Sequence, residues 1–336
     1  MNFDSPRDRT HSPPVLSVVL TAYKAEKSLP KAIDSALAQR TSFPIEIIVS
    51  DDCSPDGARA VARAYQQKHP GIVRVIERER NVGMQRNFYE TFAMCRGKYI
   101  AWLDGDDYWT DPDKLSRQVE ALESDPSISI CGHYVRWVVP GGPVTRERYP
   151  EISPGRYSMS DLLQKNFIPA PSAVFRSGSP RNLPGWYLDV PLADWPVHVL
   201  SCLTGDILML DRVMADYSLN PEGECWGKGE QFWYELDASF YEHVEPLVPT
   251  YRRLVRREKA RRYEALSFLL RRQGDLRGSR VAAVKAFLAP AGTDNLIPRT
   301  KQLFASVVHE ALGRIKGSSS VPPRDNERNT ASPDVA

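Results

Sequence analysis

Two groups of acidic side chains each follow a predicted buried strand. The first group comes directly after the apolar residues 45–49, and the second comes directly after residues 99–103. Their members are Asp51 and Asp52 in the first group, and Asp104, Asp106 and Asp107 in the second. Because ligands of an open parallel sheet bind beyond the carboxyl ends of its strands, we expect both groups at the binding edge. Asp is also common in turns and helix caps, so either group alone has a structural alternative.

Crowded carboxylates at one edge of a sheet need a positive or hydrogen-bonding partner, because they otherwise repel one another. Oxygen ligands suit Mg²⁺ or Mn²⁺, and such an ion is usually held by one or two carboxylates together with substrate phosphates. Gly105 would let a ligand approach the backbone closely. Asp51 or Asp52 can accept a hydrogen bond from a nucleobase imide. These residues predict a divalent metal site that binds a substrate with a diphosphate group.

The first half of the chain alternates predicted strands and helices. Short apolar runs rich in β-branched residues predict the strands, and apolar residues at helical spacing predict the helices. The predicted strands are residues 15–22, 45–49, 72–76 and 99–103. The first predicted helix begins after Ser28, and three more cover residues 56–68, 83–95 and 111–124. This order predicts an α/β fold of Rossmann-like units, with helices on both faces of a mainly parallel sheet.

The second half of the chain is predicted to contain strands and helices that do not alternate regularly. Its elements are a strand over 128–139, a helix over 194–203, two strands over 207–210 and 213–217, and a helical pair over 251–289 that breaks at Gly274. The polar ends, residues 1–14 and 317–336, are expected to be disordered. Between them we expect a catalytic domain over 15–250, with a nucleotide half to residue 127 and an acceptor half from 128, and then a basic helical extension over 251–316.

The composition argues against several functions. The 336 residues include 44 Lys and Arg against 42 Asp and Glu, and this balance does not predict a nucleic-acid partner. The five cysteines contain no CxxC pair and the six histidines no metal-binding spacing, so no disulfide framework or zinc site is predicted. The first 14 residues lack an apolar core and no 18 apolar residues run together, so we expect a cytoplasmic chain without a membrane span.

Four stretches of the chain resemble, in order, the motifs of the family 2 glycosyltransferases, which have the GT-A fold. They are LSVVLTAYKAEKSLPKAIDSALAQ, IEIIVSDDCSPD, NVGMQRNFYETFAMCRGKYIAWLDGDDYWTDPDKLSRQ and DWPVHVLSCLTGDILMLDRVMADYSLN, and they lie between about residues 15 and 220. The resemblance implies sugar transfer from a nucleoside diphosphate donor, expected to be a UDP-sugar, with inversion at the anomeric carbon. It also implies a glycan or lipid-linked acceptor in bacterial surface-polysaccharide assembly.

The resemblance assigns roles to individual residues. The positions that match the nucleotide site are Thr21, Ala22, Tyr23, Glu26, Asp51, Asp52 and Arg86. Asp104-Gly105-Asp106 matches the DxD motif of the family, in which Asp106 would hold the metal and Asp104 the metal or the ribose. Arg86 has a solvated helix face as an alternative, and Asp107 is expected to orient the motif or cap the next turn.

Asp194 matches the catalytic base of the family. Inverting transfer needs a base within hydrogen-bond reach of the acceptor hydroxyl, although Asp194 is equally placed to cap its helix. Asp189 is the neighbouring alternative for the base. His198 is expected to pack rather than react.

The chain departs from the family pattern after its last strand. The family often has Arg and His after the Tyr, whereas this chain reads Tyr217-Ser218-Leu219-Asn220, so a third protein contact to the metal is not assigned. The Gly-rich loop over 221–229 suits either a lid over the donor or an ordinary loop.

Two other functions remain open from the sequence. A sugar nucleotidyltransferase would share this kind of sheet, although TAYKAEKS lacks the glycine-rich loop expected of that class. A noncatalytic module that binds a nucleotide sugar or a membrane surface is the second alternative.

The segment over 251–316 has 16 Lys and Arg against 5 Asp and Glu. It predicts either contact with an anionic membrane, at the inner face, or a solvated face of packed helices. The cations of interest are Arg252, Arg253, Arg256, Arg257, Lys259, Arg261 and Arg262.

Overall fold

Four parallel strands form the half of the sheet that carries the acidic groups. The computed structural model describes residues 13–221, 223 and 227–289. The strands are β1 (Leu16–Ala22), β2 (Ile45–Asp51), β3 (Val73–Glu77) and β4 (Tyr99–Asp104). They lie side by side in the order β3-β2-β1-β4, and every pair is parallel. The predicted strands and their order along the chain are confirmed.

Helices cover both faces of these strands. They are α1 (Leu29–Leu37), α2 (Ala58–Lys68), α3 (Met84–Ala93) and α4 (Lys114–Ser124). Because side chains alternate along a strand, Val18 and Leu20 of β1 face the core under α1, α2 and α4, whereas Val19 faces the core under α3. Residues at helical spacing supply the other side of each core, as Leu29, Ala32, Ile33 and Ala36 do on α1. The expected α/β fold is confirmed.

Six further strands extend the same sheet to ten strands among the described residues. The added strands are β5 (Tyr108–Trp109), β6 (Ile128–Val138), β7 (Val144–Tyr149), β8 (Gly155–Tyr157), β9 (Val174–Arg176) and β10 (Asp206–Ser218). The short β9 is antiparallel to both β4 and β6, and it joins the two halves of the sheet. The two strands predicted over 207–217 are one strand, β10, whose register against β6 shifts on either side of Val213. A bulge bends a strand without ending it.

The remaining helices are α5 (Met159–Leu162), α6 (Gly178–Arg181), α7 (Asp194–Cys202), α8 (Glu230–Val244), α9 (Arg252–Arg272) and α10 (Leu276–Leu288). The predicted helical pair is α9 and α10, and it turns at Gly274, whose φ is 86°. No helix within the described part of the chain is long and apolar enough to cross a bilayer. The predictions for residues 1–12 and 290–336 lie outside the described residues.

Most cations at the start of α9 face acidic side chains of this chain. Arg256 and Lys259 pair with Glu245 at 2.6 and 3.1 Å, and Arg262 pairs with Asp237 at 2.8 Å. Arg257 and Arg261 both pair with Glu258, at 3.2 and 2.8 Å. These ion pairs neutralise much of the positive charge at the start of α9. The pair with Asp237 ties α9 to α8, and those with Glu245 tie α9 to the turn after α8, whereas the pairs with Glu258 lie within α9.

Candidate active site

The carboxyl ends of β1, β2 and β4 bring the predicted donor residues together. In the parallel register, Thr21 of β1 lies beside Asp104 of β4, and Ala22 lies beside Asp51 of β2. Residues from three separate sequence motifs therefore meet at one edge. The expectation that both acidic groups lie at the same sheet edge is confirmed by this register.

The turn after β4 is held against the end of β1. The Thr21 hydroxyl and the Trp102 indole N–H both donate to Asp104 Oδ1, at 3.3 and 3.1 Å. The backbone N–H of Gly105 donates to the Thr21 carbonyl at 2.9 Å. A Cβ at Gly105 would lie 2.8 Å from that carbonyl oxygen and 3.4 Å from Ala25 Cβ. Glycine is therefore required here by the close approach of two backbones.

Replacing Gly105 tests this close approach. We expect Gly105→Ala to lower the free energy of unfolding by about 1–3 kcal/mol, because the overpacked Cβ must push β1 and the turn apart. Thermal melting measures the change. Gly185→Ala is the matched control, since a Cβ at Gly185 meets nothing within 4 Å. Equal melting temperatures for the two variants would contradict the account of this turn.

Residues at the end of β10 contact the other side of the turn after β4, Asp104-Gly105-Asp106-Asp107, which we call the acidic turn. Asn220 Nδ2 donates to Asp106 Oδ2 at 3.1 Å, and the Ser218 hydroxyl donates to the Asp106 carbonyl. The Ser218 N–H donates to Asp107 Oδ1 at 2.7 Å. Asp107 thus orients the motif, which is one of the two roles expected for it. The segment that departs from the family pattern lies directly on the predicted metal ligand.

The acidic turn places three carboxyl groups close together and largely buried from solvent. Burial, and then the charge of Asp106, raises the pKa of Asp104 to about 7. Burial raises the pKa of Asp106 as well. Burial, followed by the charges of Asp106 and Asp104, raises the pKa of Asp107 well above its usual value. Asp107 Oδ2 is buried with no hydrogen-bond partner among the described residues. A cation at this turn would offset the repulsion.

These residues fit a divalent cation of the Mg²⁺ type. The donor set is all oxygen, which such ions prefer. The described residues contain no cluster of three or more His, Cys, Asp or Glu side chains able to hold a metal. The carboxylates of Asp104 and Asp106 could supply one or two oxygen ligands to such an ion, and substrate phosphates and water would complete its shell.

Asp194 is the first residue of α7, and its carboxylate is held by two donors. Its Oδ1 accepts the N–H of Trp195 at 2.7 Å, and its Oδ2 accepts Asn166 Nδ2 at 2.9 Å. The other end of the Asn166 amide, Oδ1, lies 3.0 Å from His198 Nδ1. Burial raises the pKa of Asp194, and these two hydrogen bonds oppose that effect. The side chain is thus oriented, and it holds a proton more readily than an exposed Asp.

The Asp194 carboxylate lies close enough to the acidic turn for their charges to interact. The charge of Asp194 contributes to the raised pKa of Asp104, although the two residues are far apart in sequence. The pKa of Tyr217 is raised by burial and then by the charges of Asp107, Asp104, Asp194 and Asp106. Asp189, the alternative base, is exposed at the end of a 3₁₀ turn. The geometry therefore favours Asp194 over Asp189.

His198 is buried beside this site and has the packed position expected of it. Its ring stacks on Phe175 with centroids 5.6 Å apart, and burial lowers its pKa to about 3. It is therefore neutral at physiological pH. A neutral His198 can donate to Asn166 through Nδ1, which points the Asn166 amide N–H at Asp194.

The hydrogen bond from Asn166 gives a pH-dependent expectation. We expect Asn166→Ala to move the acid limb of the activity profile to higher pH, because it removes a donor that stabilises the charged form of Asp194. If Asp194 is the base, activity depends on its deprotonated form and falls as pH drops through its raised pKa. The profile of donor turnover against pH measures the shift. Gln164→Ala is the control, since its side chain is exposed and bonds only the Ser160 carbonyl; an equal shift there would refute the assignment.

Asp51 and Asp52 are both buried, and both have partners within the protein. Asp51 pairs with Arg59 at 3.1 Å. The two oxygens of Asp52 accept the N–H groups of Val82 and Gly83, at 2.8 and 2.9 Å. Asp52 therefore holds the turn before α3 at the sheet edge. Carboxylate oxygens accept more than one hydrogen bond, so contact with a nucleobase stays a prediction for both residues.

The other residues predicted to bind the donor differ in exposure and in the contacts that they make within the protein. Tyr23 is 47% exposed, next to Lys24, whose φ is 54°. Glu26 accepts the N–H of Gly57 at 3.1 Å and so ties the loop after β1 to the start of α2. Arg86 is exposed on α3 and lies 3.6 Å from Glu90. Tyr23 and Arg86 are therefore exposed to a ligand, whereas the Glu26 carboxylate is hydrogen-bonded to the start of α2.

Sequence reasoning did not identify Asn166, Trp102 or Ser218 as parts of the site. Asn166 and Ser218 act through contacts between distant segments, which no local spacing reveals. Trp102 donates to Asp104 two residues along the same strand, where the alternation of side chains puts both on one face. Part of the predicted lid loop over 221–229 lies outside the described residues. Within it, Lys228 lies over the Phe232 ring at 5.2 Å.

The sequence profile described as "Glycosyl transferase family 2" matches residues 17–180. This stretch contains β1 to β4, the acidic turn and β9. Within residues 17–180 the chain belongs to glycosyltransferase family 2. Asp104, Gly105 and Asp106 lie inside the matched family region, whereas Asp194 and β10 follow it.

Curated relatives match this family 2 chain over part of their length. An uncharacterized protein of Mycobacterium tuberculosis is 36% identical over 223 residues, which are 65% of this chain and 63% of the relative. A putative teichuronic acid biosynthesis glycosyltransferase, TuaG of Bacillus subtilis, is 33% identical over 126 residues, which are 37% of this chain and 48% of TuaG. The chain thus spans about 63% of the length of its mycobacterial relatives.

Solved structures share the fold of this family 2 chain. TarS 1–349 of S. aureus in complex with UDP-GlcNAc has a TM-score of 0.62 at 16% identity, over 90% of this chain and 92% of that one. The mannosyltransferase PcManGT of Pyrobaculum calidifontis, in complex with GDP-Man and Mn²⁺, has a TM-score of 0.54 at 15% identity, over 93% of this chain and 82% of that one. These likenesses confirm the GT-A fold.

Proposed function

We propose that this chain is an inverting glycosyltransferase that moves a sugar from a nucleoside diphosphate donor to an acceptor hydroxyl. One observation carries the proposal: the oriented carboxylate of Asp194, at the start of α7, lies close enough to the acidic turn at Asp104–Asp106 for its charge to raise the pKa of Asp104. Family membership and the fold shared with TarS support the same reaction class. A UDP-sugar is the donor that we propose first.

The donor would lie along the carboxyl ends of β1, β2 and β4. We assign the nucleoside to the surface formed by Thr21, Ala22 and Tyr23, with Asp51 or Asp52 accepting from the base imide. The diphosphate lies beyond them, towards Asp106. Arg86 is exposed on the first turns of α3 and supplies a positive charge at this edge. Gly105 lets the acidic turn pack directly against the end of β1, beside this surface.

We propose that Asp106, with Asp104, holds Mg²⁺ or Mn²⁺ when the donor is bound. A divalent ion at this place would neutralise charge that develops on the leaving diphosphate. The raised pKa values of Asp104 and Asp107, and the unpartnered oxygen of Asp107, support a positive charge at this turn. The Mn²⁺ in the PcManGT complex is consistent with this choice.

Asp194 acts as the general base in this proposal. Its carboxylate accepts the proton of the acceptor hydroxyl as that oxygen bonds to the anomeric carbon. The bond between the anomeric carbon and the diphosphate oxygen breaks, and the nucleoside diphosphate leaves with the electron pair. Attack from the side opposite the leaving group inverts the configuration. Hydrogen bonds from Asn166 and the Trp195 N–H fix the direction of the base.

The acceptor that we propose is a glycan or a lipid-linked sugar. The name of TuaG, a relative assigned to teichuronic acid biosynthesis, supports a setting in surface-polysaccharide assembly. We place the chain in the cytoplasm. A lipid-linked acceptor would require it to work at a bilayer surface.

A screen of nucleotide sugars with the purified chain tests this function. We expect one sugar nucleotide to release its nucleoside diphosphate in the presence of Mg²⁺ or Mn²⁺, with water or an added sugar as the acceptor. Release of pyrophosphate from a nucleoside triphosphate and a sugar 1-phosphate, with no turnover of the nucleotide sugars, would instead identify a sugar nucleotidyltransferase. Binding of a nucleotide sugar without turnover, under conditions where acceptors are supplied, would identify a noncatalytic module.

A further inference from the structure

The outer face of α10 is apolar and basic at the same time. Val281, Val284 and Leu288 are 52%, 41% and 68% exposed. Together with Arg277 they follow one another at intervals of four, three and four residues, which places them on one face of a helix. The opposite face is buried and small, and consists of Ser279, Ala282, Ala283 and Ala286. Such a face has no partner among the described residues, although each of its apolar side chains would gain from leaving water.

The neighbouring turns of α9 have the same character. Phe268 is 62% exposed, and Arg271 and Arg272 follow it at helical spacing. Within residues 227–289, neither of these arginines nor Arg277 forms an ion pair. This contrasts with the start of α9, where Arg256, Lys259 and Arg262 are paired with acidic side chains.

Acidic side chains are almost missing from this end of the helical pair. From residue 265 to 289 the only one is Asp275, and its Oδ1 accepts the N–H of Gly278 as the cap of α10. The surface therefore presents exposed apolar groups between cations whose charge the described residues do not compensate. Its charge complements an anionic partner, and its apolar stripe suits one with a hydrophobic interior.

We propose that the outer face of α10, with Phe268, Arg271 and Arg272 of α9, docks on an anionic lipid bilayer. We call this set of residues the α9–α10 surface. Helices that lie in a membrane interface combine an apolar stripe with flanking Lys and Arg in this way. Basic residues near an anionic leaflet add to the attraction, and salt weakens it. The proposal places membrane contact away from the paired cluster at Arg256–Arg262, and it stands apart from the transfer chemistry.

Flotation with lipid vesicles tests the α9–α10 surface in the full chain. We expect the wild-type chain to bind vesicles of phosphatidylcholine with phosphatidylglycerol, to bind pure phosphatidylcholine much less, and to dissociate at high salt. Arg272→Gln with Arg277→Gln should lower the partition coefficient roughly tenfold or more, because each cation contributes about 1 kcal/mol near an anionic surface. Val281→Ser with Leu288→Ser should lower it as well.

Matched variants elsewhere in the chain make the result specific. Arg252→Gln with Arg253→Gln removes two exposed cations from the start of the same helix, and Met94→Ser with Leu203→Ser removes two apolar side chains that are 40% and 47% exposed. Both controls should bind vesicles as the wild type does, and circular dichroism should show all variants folded.

Three results would overturn the proposal. Equal losses in the control and test pairs would assign binding to overall charge. Failure of the wild type to bind anionic vesicles would show that another part of the chain covers the surface. Light scattering that shows a dimer that dissociates on Val281→Ser with Leu288→Ser, without vesicle binding, would assign the surface to a second copy.

Discussion

Asp194→Asn should reduce donor turnover by roughly 10²–10⁴ while leaving the affinity for the nucleotide sugar nearly unchanged. The amide cannot accept the proton of the acceptor hydroxyl, but it occupies the same volume at the start of α7. Release of nucleoside diphosphate measures the rate, and calorimetric titration with the donor identified in the screen measures the affinity. The separation of rate from affinity is what distinguishes a base from a donor ligand.

Asp189→Asn is the matched control for this variant. Asp189 lies five residues earlier and is exposed, so its loss should leave the rate close to that of the wild type. A large rate loss in Asp189→Asn with little in Asp194→Asn would transfer the base to the other carboxylate. Loss of donor binding in Asp194→Asn would reassign that residue to the donor site.

Asp106→Asn should abolish the part of the turnover that depends on a divalent ion. The neutral amide is a weaker ligand for Mg²⁺ or Mn²⁺, so charge on the leaving diphosphate would lose its compensation. We also expect the variant to lose the rise in melting temperature that UDP and Mn²⁺ together give the wild type, a readout that does not depend on catalysis. The fold itself should be retained, because the contacts of Asp107 and Ser218 remain.

Asp113→Asn controls for the removal of a carboxylate near this turn. Asp113 pairs with Arg40 at the surface, at 2.6 Å, and should matter little for turnover. Wild-type turnover that continues undiminished in EDTA would contradict the metal site. Full activity of Asp106→Asn would contradict the assignment of that ligand.

The sheet edge could be predicted from sequence because its signals are local. Each of β1, β2 and β4 is an apolar run that ends in polar residues, and parallel pairing then brings Thr21, Asp51 and Asp104 to one edge. The helical pair after residue 251 was visible for the same reason, since its apolar residues recur at helical spacing. In these segments, pattern and tertiary structure agree.

The rest of the site depends on contacts that local patterns do not contain. The strands β5, β8 and β9 have only two or three residues each, too few for a period to show. The hydrogen bond from Asn166 to Asp194 joins residues 28 apart, and that from Asn220 to Asp106 joins residues 114 apart. For α8, the buried Leu236, Phe240 and Val244 recur every four residues, a signal that would have predicted the helix.

The paired cations of α9 show what composition alone leaves open. The excess of Lys and Arg over residues 251–316 predicted either a membrane-binding face or a packed pair of helices. Arg256, Lys259 and Arg262 lie against Glu245 and Asp237, which come from the segment before α9. A count of charges along the chain cannot show these pairs, because the partners are brought together only by the packing of α8 on α9.

A crystal structure of the chain with a nonhydrolysable UDP-sugar and Mn²⁺ would test the central claim most directly. That claim is that the acidic turn and Asp194 act on opposite sides of one donor sugar. We predict that the diphosphate and the ion lie against Asp106, and that the Asp194 carboxylate faces the anomeric carbon from the side opposite the leaving diphosphate. A donor bound away from Asp106, or with Asp194 on the side of the diphosphate, would contradict the account.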